Sequence, residues 1–131
     1  MGNLSMAIEN YLKALDIKKT YDKGWYSLGL AYKENGDIEN AMNSFKETVR
    51  LNGKYYKAHK SLGDIYIDTE EFDKAISSFQ KAIDVKSNYS FAYHSLGITY
   101  AKIENYEKSA EALSKAVELA PKEHLSWFHL A

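Results

Sequence analysis

Four histidines are the residues of this chain best suited to metal binding or proton transfer. A zinc site on a helix needs two of them four residues apart on one face, whereas His124 and His129 are five apart. His59 falls where corresponding segments carry Trp25 and Tyr93, so we expect it to be a packed helix residue. The histidines therefore predict no metal site.

Two clusters of carboxylates have the side chains for acid–base chemistry, but both fall at predicted turns, where solvated side chains are the ordinary finding. The chain has no cysteine, its glycines at 29, 63 and 97 are isolated rather than grouped into a phosphate loop, and no serine lies in a nucleophile elbow. We therefore expect no catalytic residue, no cofactor and no metal, and we predict that the chain is not an enzyme. The clusters are Asp68, Glu70 and Glu71, and Glu104 and Glu107.

Composition limits the classes of partner. The 131 residues include 17 basic and 18 acidic side chains, for a formal charge of −1. A nucleic-acid binder needs a basic stripe that displaces counterions from phosphates, so this class is excluded. No apolar run approaches the roughly 20 residues that span a bilayer, and charged residues interrupt any signal peptide. We expect no membrane insertion and a cytoplasmic location.

The strongest pattern is a repeat. The tripeptide Ser-Leu-Gly recurs at 27–29, 61–63 and 95–97, each copy 34 residues after the last, and apolar residues follow it at helical spacing. A fixed period of this length is typical of helical repeat arrays, so we predict an all-α fold, an α-solenoid of antiparallel helix pairs. Other positions that keep the step are Tyr32, Tyr66 and Tyr100; Phe45, Phe79 and Leu113; and Ala41, Ala75 and Ser109.

The period predicts one array over the whole chain, cut at both ends. Each complete repeat has a first helix, a short turn and a second helix. The first segment reads as a second helix only, and the last as the opening of a further first helix. We therefore expect a fragment of a longer array. The segments are 1–21, the complete repeats 22–55, 56–89 and 90–123, and 124–131.

Gly29, Gly63 and Gly97 fall in the middle of predicted helices, where glycine costs about 1 kcal/mol relative to alanine. Three such costs at one register need a physical reason. Close approach of the two helices of each pair supplies it, with the small residues at 41, 75 and 109 opposite. We expect the large residues at 45, 79 and 113 to fill the space between one repeat and the next.

The residues at this spacing resemble the tetratricopeptide repeat (TPR) family, and the resemblance covers nearly the whole chain. The main departure is the proline that usually closes a repeat, which occurs only as Pro121. The resemblance implies a right-handed superhelix (TPR superhelix) whose first helices line a concave groove that receives another polypeptide. The residues of one repeat that carry it are Trp25, Leu28, Gly29, Tyr32, Gly36, Ala41 and Phe45.

On each first helix, positions three or four apart form the face that would line this groove. The first half of the face is basic and aromatic, and the second half is apolar with one imidazole. Such a surface suits a peptide or a partner helix with acidic residues toward the lysines and apolar residues toward Phe91 and Ile98. The predicted groove residues are Lys23, Tyr26, Leu30, Lys33, Lys57, Lys60, Asp64, Ile67, Phe91, His94, Ile98 and Ala101.

These patterns favour a non-catalytic scaffold for protein–protein interaction, part of a longer TPR protein. An alternative from the enzyme class is a substrate-presenting arm whose catalytic domain lies outside this chain. A second alternative is head-to-tail self-association, because the two open ends are complementary. That contact would join Ile8 and Tyr11 of one copy to Trp127 and Leu130 of the next. The sequence leaves the identity of the partner open.

Overall fold

A computed structural model of the chain describes residues 2–120, and this range contains seven helices and no strand. The predicted final segment, 124–131, with His124, His129, Trp127 and Leu130, lies outside the described residues. The helices are α1 (Gly2–Ile17), α2 (Asp22–Glu34), α3 (Ile38–Leu51), α4 (Tyr56–Asp68), α5 (Phe72–Val85), α6 (Ser90–Lys102) and α7 (Tyr106–Leu119).

The helices pack as a linear stack of pairs. The most extensive contacts join α2 to α3, α4 to α5, and α6 to α7, and smaller contacts join α1 to α2, α3 to α4, and α5 to α6. Each pair therefore touches chiefly its neighbours in sequence, as in a solenoid. The predicted all-α solenoid is confirmed, with α2, α4 and α6 as first helices and α3, α5 and α7 as second helices.

The mid-helix glycines lie against large side chains. A Cβ atom at Gly63 would lie 2.5 Å from Cε1 of Phe79, and one at Gly29 would lie 2.6 Å from Cε1 of Phe45. In the direction that a Cβ at these two glycines would take, the nearest side chains are therefore aromatic rings. In the third repeat a small residue does contact the glycine, because Ser109 Oγ donates to the Gly97 carbonyl at 2.8 Å.

Each first helix ends in the same left-handed turn. The residue in that turn has a positive φ in all three repeats: +83° at Gly36, +60° at Glu70 and +63° at Glu104. The next amide donates back to a tyrosine carbonyl five residues earlier, as Glu71 does to Tyr66 at 2.8 Å. This is the Schellman helix ending, in which glycine is favoured because a Cβ is strained at positive φ. Glutamates 70 and 104 therefore carry a conformational cost that Gly36 avoids.

Replacing Glu70 with glycine is expected to raise the free energy of unfolding by about 0.5–1 kcal/mol, since relief of left-handed strain exceeds the added chain entropy of the unfolded state. Glu104→Gly should act in the same direction. Urea denaturation followed by circular dichroism measures both. Gly36→Ala is the matched control and should be destabilising; a loss of stability in Glu70→Gly would contradict this account of the turn.

Candidate functional site

The first helices all begin directly after a tyrosine. Tyr21 precedes α2, Tyr55 precedes α4 and Tyr89 precedes α6, so these residues share the 34-residue step. The step places an aromatic ring at the same end of every first helix. The predicted groove set omitted these tyrosines, although their recurrence could have revealed them.

Five aromatic side chains lie near these helix starts in two contacting groups, and we call them the aromatic cluster: Tyr26 and Tyr55, and Tyr56, Tyr89 and Phe91. The ring centroids of Tyr26 and Tyr55 are 5.0 Å apart, and those of Tyr56 and Tyr89 are 4.9 Å apart in an edge-to-face arrangement. Phe91 continues the row at 6.0 Å from Tyr89. Such spacings are favourable for aromatic pairs, so the rings hold one another in place.

An ion pair lies on α4 beside the aromatic cluster. Lys60 Nζ donates to Asp64 Oδ2 at 2.7 Å, and the two side chains are only 24% and 25% exposed. The two residues are one helical turn apart, the spacing at which such pairs form. The sequence had assigned Lys60 to an acidic partner, but its charge is already balanced within its own helix. Lys57, one turn earlier, is exposed.

The pKa values of the site show which groups lie near one another. Burial raises the pKa of Tyr26, while a hydrogen bond with Ser61 acts in the opposite direction. Burial also raises the pKa of Tyr89 to about 12, with smaller contributions from Tyr26 and Asp64. Tyr26 of α2, Asp64 of α4 and Tyr89, the residue directly before α6, therefore lie close enough to act on one another.

His94 on α6 belongs to the same neighbourhood. Burial lowers the pKa of its imidazole, the Lys60 ammonium lowers it further, and the Asp64 carboxylate opposes both. Three predicted groove residues thus lie together across the boundary between the second and third repeats. Burial is the main reason that the neutral imidazole is favoured, and a proton on His94 would also add a positive charge beside Lys60.

The remaining predicted groove residues divide by exposure. Tyr26 and Ile67 also pack against the hydrophobic core, beside the clusters that contain Phe45 and Phe79 respectively, so part of their surface serves stability. The exposed members offer contact area to a partner. Exposed residues are Lys23, Leu30, Lys57, Phe91 and Ile98; half-buried ones are Lys33, Ile67, His94 and Ala101.

His59 is a packed helix residue, as predicted. It is buried, and its Nε2 lies 2.8 Å from the Gly53 carbonyl six residues earlier. Trp25, at the corresponding position, donates its Nε1–H to the Lys19 carbonyl at 2.9 Å, also six residues earlier. His59 therefore reproduces the tryptophan contact of the first repeat. Among residues 2–120 no group of histidines and carboxylates is placed to hold a metal ion.

One hollow of the surface is lined by no residue of the aromatic cluster. It has a volume of about 520 Å³ and opens between α3 and α5, with Lys46 and Lys81 on its walls. Arg50, the only arginine of the chain, also lines it but hydrogen-bonds Glu47 on the same helix. The Arg50 guanidinium is thus already bound by a carboxylate of its own helix. Lys46 and Lys81 lie on second helices, so their substitution serves as a control for charge changes on the first helices.

Family models match along the chain. A model described as TPR repeat matches residues 1–36, and two described as tetratricopeptide repeat match residues 22–55 and 53–122. The last alone covers more than half of the sequence. The chain belongs to the tetratricopeptide repeat family. The boundaries of the 22–55 match coincide with the predicted first complete TPR unit.

Solved TPR structures share this architecture. Two crystal structures of MamA are each 28% identical to the chain, with TM-scores of 0.81 and 0.82, and cover 86% and 98% of it. A structure of MamA from Desulfovibrio magneticus RS-1, residues 41 to the end, covers 92% of the chain at 24% identity with a TM-score of 0.82. At this identity the likeness shows a shared fold and nothing more. The chain spans 66%, 69% and 68% of these three structures.

No curated protein sequence matches the chain significantly. Within the part of the TPR array that the structure describes, every helix is too short or too polar to cross a bilayer.

Proposed function

We propose that this chain is a non-catalytic protein–protein interaction scaffold that binds a peptide or a partner helix along α2, α4 and α6. The observation that supports this most strongly is the gathering of Tyr26, Asp64 and His94, one from each repeat, because Asp64 acts electrostatically on both of the other groups. A surface built from three successive repeats can follow an elongated ligand. Membership of the TPR family favours the same use of the first helices.

The composition of the surface favours a mixed ligand. Leu30, Phe91 and Ile98 are exposed apolar side chains. Aromatic side chains such as that of Phe91 are enriched at protein–protein interfaces. Lys57 is the exposed cation nearest the ion pair in sequence and suits an acidic residue of the ligand. Lys60 can add to this attraction only by exchanging Asp64 for a carboxylate of the ligand.

Selection from a displayed peptide library tests the proposal. We expect peptides that bind the unmodified chain to bind the double variant Lys57→Glu/Lys60→Glu about tenfold or more weakly. The substitution at 57 reverses the charge of an exposed cation. The substitution at 60 places two carboxylates opposite each other, at 60 and 64. Acidic peptides should also show a flatter dependence of Kd on salt. Fluorescence anisotropy at low and high salt measures both quantities.

Lys46→Glu/Lys81→Glu is the matched control, since it makes the same charge change on the second helices α3 and α5. Its effect on Kd should stay within about twofold, as expected of charges outside the contact. Equal losses in the two double variants would indicate a general effect of net charge. A loss confined to the control would place the binding surface on α3 and α5 and refute the proposal.

A further inference from the structure

The aromatic cluster offers rings that are already ordered. Tyr26 rests on Tyr55, Tyr56 meets Tyr89 edge to face, and Tyr89 meets Phe91, so neighbouring rings restrict one another before any ligand arrives. Tyrosine gives a large contact area while losing only two side-chain rotations on binding. A row of this kind favours a ligand whose own backbone is also stiff, because neither partner then loses much entropy.

The hydroxyl groups of the cluster remain protonated. Burial raises the pKa of Tyr26 and Tyr55, and raises that of Tyr89 to about 12, so these phenols keep their protons throughout the physiological range. A phenol O–H donates one hydrogen bond. The ammonium of Lys60 beside them adds N–H donors, while the one carboxylate at the centre, Asp64, is occupied by that ammonium. Since Tyr26 already hydrogen-bonds Ser61, the donors that this surface offers are the hydroxyls of Tyr55 and Tyr89 and the remaining N–H groups of Lys60.

Proline-rich segments have the opposite hydrogen-bonding character. In the polyproline II conformation the backbone makes no internal hydrogen bonds, so its carbonyl oxygens remain free to accept. Proline also lacks an N–H, so such a segment brings few donors that would need a partner. Aromatic-lined grooves are a recurring receptor for this conformation because it is formed before binding.

From these observations we propose that the aromatic cluster binds a proline-rich segment of a partner protein in the polyproline II conformation. This rests on the proposed use of the first helices and adds the class of ligand. An acidic residue next to the proline run would lie toward Lys57. The prolines pack against rings, and the intervening carbonyls accept from tyrosine hydroxyls.

Three fluorescein-labelled peptides test the class of ligand. The first carries proline at every third position, the second has alanine at those positions, and the third has glycine there; all keep the same acidic residue. We expect the proline peptide to bind the unmodified chain at least about tenfold tighter than either of the others by fluorescence anisotropy, because only proline fixes the extended conformation in advance.

Variants of the cluster then locate the contact. Tyr56→Leu keeps an apolar side chain but removes the ring, and Tyr89→Phe removes only a hydroxyl; each should weaken the proline peptide by about threefold to tenfold. Tyr106→Leu is the matched control, because Tyr106 is 65% exposed at the start of the second helix α7. It should leave Kd unchanged. Thermal melts by circular dichroism identify any variant that loses its fold.

The outcomes separate this proposal from the one on which it rests. Equal or tighter binding of the alanine or glycine peptide overturns the proline-rich ligand. The scaffold function survives that result if library peptides without prolines still depend on Lys57 and Lys60. If no class of peptide shows binding that depends on residues of the first helices, both the scaffold function and the proline-rich ligand are overturned. An equal loss in the Tyr106 control also counts against the aromatic cluster.

Discussion

Replacing Phe79 with alanine is expected to lower the free energy of unfolding by about 3–5 kcal/mol. The ring is fully buried, contacts Gly63 of its own repeat and packs in one core cluster with Leu96 of the next. Its removal leaves a cavity that rigid helices cannot close. Because domains of this kind have only about 5–15 kcal/mol of stability, a large part of the total would be lost.

Urea denaturation followed by far-ultraviolet circular dichroism measures this effect. Tyr106→Ala is the control, since the ring of Tyr106 is mostly exposed and its loss should change stability by no more than about 0.5 kcal/mol. A loss below about 1.5 kcal/mol for Phe79→Ala would show that the site collapses, and would contradict a core in which this ring joins two repeats.

Gly63→Ala is expected to destabilise the chain by about 1–2 kcal/mol, although alanine is the better helix former by about 1 kcal/mol. The new methyl group would lie 2.5 Å from Cε1 and 2.7 Å from Cζ of Phe79. Because that ring is fully buried, it can yield only if the surrounding core repacks. The steric cost should therefore exceed the gain in helix propensity.

A double-mutant cycle separates the clash from other effects. In Gly63→Ala/Phe79→Ala the methyl group enters space that the ring has left, so the double variant should be no less stable than Phe79→Ala alone. Gly53→Ala is the control for adding a methyl group. A Cβ there would meet nothing closer than 3.9 Å, so stability should change by less than about 1 kcal/mol. Additive losses in the cycle would refute the proposed contact.

Much of the fold could be predicted from the sequence because the same packing of two helices recurs in three repeats. A single mid-helix glycine has many explanations, but three at 29, 63 and 97 require one shared cause. The 34-residue period does not decide which side chains a Cβ at these glycines would meet, and at Gly29 and Gly63 they are the rings of Phe45 and Phe79. Side-chain direction along a helix depends on rotamers, which residue spacing alone leaves undetermined.

The candidate site was less predictable, for two physical reasons. Lys60 and Asp64 are both long enough to point toward solvent or toward each other, and only their partial burial favours the ion pair. The tyrosines at 55 and 89 lie just before their helices, so the spacing of residues within the helices does not include them. Loop residues are placed by the helices that they join, which a linear pattern describes poorly.

Binding of a ligand along the first helices can be mapped residue by residue by nuclear magnetic resonance. The tightest peptide from the library selection would be titrated into isotope-labelled protein while the amide resonances of residues 2–120 are followed. We expect the largest chemical-shift changes on α2, α4 and α6, centred on Tyr26, Lys60 and His94. Changes concentrated on α3, α5 and α7 would contradict binding along the first helices.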